Sequence, residues 1–148
     1  MNPYCNNSLF ESHLLAVKQL IAINKEFRKK NEVIKENYRV VSYAMTFSTI
    51  QVNIGRMTGK SRILKEIATE KTILVVENEQ QRAYHKELGI KTPVFYMADI
   101  INNGIRDDID YDTVLIDDAD YIITGKNNKR IIYEKLAKNH DVTFVLMG

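Results

Sequence analysis

At 148 residues, 45% of them hydrophobic, the chain is long enough for one domain with a substantial core. Its net charge of +2 excludes the strongly basic balance that would by itself point to nucleic acid. Cys5 is the only cysteine, which excludes an intrachain disulfide and a cysteine-built zinc centre, and no apolar run approaches the roughly 18 residues of a membrane span. No basic-then-apolar signal layout opens the chain, so a cytoplasmic protein is expected. His13, His85 and His140 show no ligand spacing and read as ordinary surface or edge histidines.

Ser8 and Glu11 read as a capping box, with Ser8 as N-cap, and Phe10, Leu14, Val17 and Ile21 then recur at helical spacing. A helix is expected from about Leu9 to Phe27, followed by Arg28-Lys29-Lys30 as a solvated face. Asn31 to Met45 fits a helix through Ile34, Tyr38, Val41 and Met45 slightly better than a strand. Phe47 to Ile54 reads as a strand, whose polar Gln51 and Asn53 argue against burial on both faces. A helix over Arg62 to Glu70 and a buried strand over Thr72 to Val76 come next. Asn78 and Gln81 cap a helix that runs to Leu88 and stops at Gly89. Pro93 to Met97 is a strand, Asp99 to Gly104 a helical turn, and Thr113 to Ile116 a strand that ends in Asp117 and Asp118. Gly125 to Asn128 reads as a polar loop, Lys129 to Lys138 as a helix and Val142 to Met147 as the fifth strand. Strands that alternate with helices predict an α/β fold: a three-layer sandwich with a mainly parallel five-stranded sheet. The expected organisation is a single domain over 1–148, with an N-terminal helical segment (1–46) preceding a core (47–148).

Between the first strand and its helix lies Gly55-Arg56-Met57-Thr58-Gly59-Lys60-Ser61-Arg62. A glycine-containing turn that opens a helix presents backbone N–H groups to an anion. Lys60 would reach the outer phosphates of a nucleotide as a point charge, and the Ser61 hydroxyl would sit on magnesium. The first glycine of the strict phosphate-loop pattern is replaced by Ile54, with Gly55 one place late. A phosphate loop also needs a magnesium carboxylate at the end of a neighbouring strand and a group to orient the attacking water. Asp117 stands where the first is required and Asp118 where the second is. The alternative is that the glycines cap an ordinary helix and the aspartates cap a turn.

On these stretches the chain resembles P-loop NTPases of the additional-strand type. Within them it is most similar to the ATPase domain of viral terminase large subunits and the first motor domain of superfamily-two helicases. Gly55 to Ser61 resembles the terminase form of Walker A, Thr72 to Gln81 the strand-helix element that follows it in helicases, and Val114 to Ile122 Walker B. Asp117-Asp118-Ala119-Asp120 reads as a DEAD box with aspartate for glutamate, and Val142 to Gly148 matches the strand that carries the coupling motif. The resemblance implies Mg2+ and ATP held by Gly55, Arg56, Met57, Thr58, Gly59, Lys60, Ser61 and Arg62, with Ser61 and Asp117 on the metal. It implies Asp118 and Arg56 as catalytic residues, Arg56 acting as an arginine finger in cis unless a partner supplies one. Such an arginine is worth about 10³–10⁵ in rate. DNA is an implied partner. So is a protein or a second copy of the chain that supplies missing motor parts, in the host cytoplasm if the protein is viral. The sequence is compatible with two readings: a slow or partner-stimulated ATPase in a nucleic-acid process, and a non-hydrolysing interaction module that keeps the fold. Asp118, one methylene shorter than glutamate, favours the module; Lys60, Ser61 and Asp117 favour the ATPase. A small-molecule kinase is less well supported, since no arginine-rich lid stands out.

Overall fold

The computed structural model describes residues 7–54, 59–122 and 126–148. Five strands form one parallel sheet: β1 (Thr49–Val52), β2 (Thr72–Val76), β3 (Val94–Tyr96), β4 (Thr113–Asp117) and β5 (Thr143–Met147), in the spatial order β1-β5-β4-β2-β3. The three inner strands are buried at every position, which is why they read as unbroken apolar runs. β1 lies at an edge, with Ile50 and Val52 turned inward and Gln51 outward. Its polar residues are thus explained by position, as their spacing suggested.

Helices cover both faces. On one face α1 (Asn7–Lys30) and α3 (Lys60–Ile67) pack Phe10, Val17, Ile63 and Leu64 onto Leu74, Leu115, Val145 and Met147. On the other, α2 (Val40–Phe47), α5 (Met97–Asn103), α6 (Ala119–Ile122) and α7 (Lys126–Leu136) pack Ala44, Ile100, Ile122, Ile132, Tyr133 and Leu136 onto Ile73, Val75, Val114, Ile116 and Phe144. Ile63 and Leu64 are fully buried. Truncating either to alanine would cost about 2–5 kcal/mol, since the gap collapses only partly. α4 (Glu79–Glu87) adjoins β2 and β3, with the Asn78 carboxamide oxygen accepting from the Gln81 N–H as its N-cap.

Several local expectations are corrected. Asn7 and Ser8 are already helical, so Ser8 is not the N-cap of α1. Arg28 is buried and is not part of a solvated face. The stretch expected as one helix is a 3-10 helix (Glu32–Asn37), then extended Tyr38 and Arg39, then α2. α1 belongs to one face of the sheet and α2 to the other, so the chain must break between them to cross over, and the crossing segment contacts His140 and Asp141 just before β5. Lys126 to Asn128 begins α7 where a loop was expected, and α6 is an additional short helix.

Candidate functional site at the carboxyl ends of the strands

Parity along β4 determines which face its last residue joins. Leu115 packs with α1 and α3, and side chains alternate along a strand, so Asp117 points to the same face two residues later. Register sets its height. Asp117 is paired with Met147 of β5, and Met147 with Val52 of β1, so the three residues form one row at the carboxyl ends. Two inter-strand spacings separate Val52 from Asp117, about 10 Å, a gap that a lysine side chain from the loop after β1 can bridge.

That lysine is Lys60, the first residue of α3. Gly59 before it has φ +81, a left-handed conformation suited to glycine. A Cβ at Gly59 would stand 3.1 Å from the Phe10 ring, so α1 packs close to the turn and the ring would have to give by a few tenths of an ångström to admit a side chain. The Lys60 ammonium lies 2.7 Å from Asp118 Oδ1 and 3.5 Å from Asp117 Oδ1. Burial by itself disfavours the ammonium, but the hydrogen bond to Asp118 and the two carboxylate charges outweigh it, and the pKa of Lys60 is raised. Lys60 therefore stays charged across the physiological range. Asp118 has φ +50, which aspartate tolerates better than most residues, and its N–H donates to Asp117 Oδ1 at 2.9 Å.

The other oxygen of Asp117 faces inward. Asp117 Oδ2 lies 2.7 Å from His85 Nε2, and both side chains are almost fully buried. A carboxylate oxygen accepts, and the ring nitrogen is the partner that can donate to it. This corrects the expectation that His85 is a surface or edge histidine. It is the buried residue of α4, and its spacing to other histidines gave no sign of this.

The remaining candidates are placed as follows. Ser61 is half-buried in the first turn of α3. The Arg62 guanidinium stacks 4.0 Å from the centre of the Phe10 ring, on the side of the turn where α1 docks. Gly55, Arg56, Met57 and Thr58 lie outside the described residues. Among the described residues, no three His, Cys, Asp or Glu side chains gather as a metal cage. None of the described helices is long and apolar enough to cross a membrane. No protein-family model matches the chain, and no curated protein matches it.

Proposed function

We propose that the chain is an ATP-binding domain of the P-loop type that holds Mg–ATP at Gly59, Lys60, Ser61 and Asp117. It hydrolyses ATP slowly or under the stimulus of a partner, in a nucleic-acid process of the terminase or helicase kind. One observation carries this reading: a lysine at the start of a helix meets two consecutive aspartates at the carboxyl end of a separate parallel strand. Ligands of open α/β sheets bind in that location. The strand order supports it too, because β5 stands as an additional strand between the strand before the loop and the strand that ends in Asp117.

The residues present suit magnesium. It prefers hard oxygen donors, and it is commonly held by one or two carboxylates together with substrate phosphates and water. Asp117 and the Ser61 hydroxyl would be its protein ligands. When bound, the ion neutralises charge on the phosphate oxygens. Lys60 would turn from Asp118 to the phosphates, releasing the Asp118 carboxylate to orient water. The Lys60–Asp118 bond also favours the second reading, a non-hydrolysing interaction module, because it occupies both groups with each other.

Thermal unfolding of the parent and of Lys60→Ala with Mg–ATP tests the proposal. Ligand at about 100 times its dissociation constant should add roughly 2.7 kcal/mol to the parent. Lys60→Ala should lose that gain, because the charge aimed at the phosphates is gone. Equal stabilisation of both proteins would make the loop structural.

A further inference from the structure

We infer that His85 is a positioning residue for the metal-binding carboxylate of Asp117, an inference that rests on the Mg–ATP reading above. The two oxygens of Asp117 have separate partners. Oδ2 is held from inside the protein by His85 Nε2, while Oδ1 accepts the Asp118 N–H and faces the Lys60 ammonium. A carboxylate with two equivalent oxygens can turn about its Cβ–Cγ bond. Anchoring one oxygen on the buried side selects the other to face Lys60.

The placement of His85 is not explained by apolar packing. α4 and its C-cap carry an apolar pair one turn apart, Tyr84 and Leu88, and both are exposed, at 48% and 37%. The helix turns a histidine to the sheet in their place, 1% exposed, and that histidine meets the one carboxylate at the end of β4 that is itself buried. A buried ionised group without a partner would be strongly destabilising, so the pair is also a structural link between α4 and β4. A positioning role goes further. Hydrogen bonds to ligating carboxylates fix their orientation, and losing one lowers metal affinity by about 10–100-fold.

The test is equilibrium binding of ATP to the full chain, measured by calorimetry at fixed ATP while Mg2+ is varied, for the parent, His85→Leu and His85→Gln. Glutamine can place an amide N–H near the position of Nε2; leucine cannot. The half-saturating Mg2+ concentration of His85→Leu should rise about tenfold or more. Binding of ATP without Mg2+ should not change, and His85→Gln should move back toward the parent. A merely structural histidine would weaken folding without shifting the Mg2+ dependence of the folded protein. An unchanged half-saturating concentration in a folded His85→Leu protein overturns the inference and leaves the Mg–ATP reading standing. A parent that binds no ATP at any Mg2+ concentration overturns both. Should the leucine variant fail to fold, His85→Asn against His85→Gln carries the test. The asparagine amide is one methylene short of Asp117, so equal Mg2+ dependence in the two overturns the inference.

Discussion

Both ends of the sheet place charge against strand termini, and they use it differently. At the carboxyl end Lys60, Asp117, Asp118 and His85 converge from three elements, with Lys60 and Asp118 partly open to solvent. At the amino end Thr72, Thr113 and Thr143 stand in one register row, and Arg28 of α1 reaches down onto it. The Arg28 guanidinium donates to the Thr143 hydroxyl and, through Nε at 3.0 Å, to Asn24 Oδ1. Burial lowers its pKa, which nearby Tyr43, Asp141, Asp112 and Glu32 partly offset. The lower charge is thus taken up in fastening α1 to the sheet. The upper charges belong to a cluster in which Lys60 and Asp118 keep partial access to solvent, and under the proposed function they would exchange partners when an anion arrives. Ionisable residues at a sheet end are therefore distinguished by whether their partners can be replaced by ligand.

The sharpest test of this contrast is catalytic. Asp118→Asn should lower single-turnover hydrolysis by about 10²–10⁴-fold and Arg56→Ala by about 10³–10⁵-fold, and both should leave Mg–ATP affinity nearly unchanged, since neither role operates mainly in the ground state. Asp118→Glu, which restores the usual reach, should raise the rate. Measured with and without DNA, a parent without turnover that Asp118→Glu does not rescue would leave the interaction module as the better reading.

At the amino end the effect should be on stability alone. Arg28→Ala should cost about 1–3 kcal/mol in denaturant unfolding, from lost packing and unpaired acceptors. Arg28→Met, which keeps the apolar stem, should recover part of the loss. Neither should alter Mg–ATP binding, and a change in that affinity would break the division between the two ends.

The smallest effect belongs to the exposed pair Lys35–Asp141, 2.6 Å apart. The hydrogen bond from Lys35 holds the Asp141 carboxyl below its ordinary range. A lowered folded pKa contributes stability that is present above the unfolded value and lost as pH falls through the folded one. Solvent screening keeps it small, so Asp141→Asn should cost less than about 1 kcal/mol near neutrality, and nothing in acid or high salt. A larger loss at high salt would mean that Asp141 does more than pair.

The strands and most helices were legible in the sequence because their signals are local. Thr72–Val76 reads as a buried strand from its own residues, and Asn78 and Gln81 announce α4 from three positions apart. Gly59, Lys60, Ser61, Asp117 and Asp118 could likewise be singled out, since each stands where a strand or helix begins or ends. Arg28 and His85 were misread for the opposite reason. Their partners are Thr143 and Asp117, 115 and 32 residues further along the chain, and no spacing within α1 or α4 encodes them. In α4 the buried position went to His85, while the apolar Tyr84 and the C-cap Leu88 stay exposed. By itself the sequence determined the strands, most of the helices and the residues that could carry phosphate chemistry. Only the tertiary structure decided the strand order, the break between α1 and α2, and the burial of Arg28 and His85. Those depend on which distant side chains share a low-dielectric space, and there an unpaired polar group costs more than local propensity can supply.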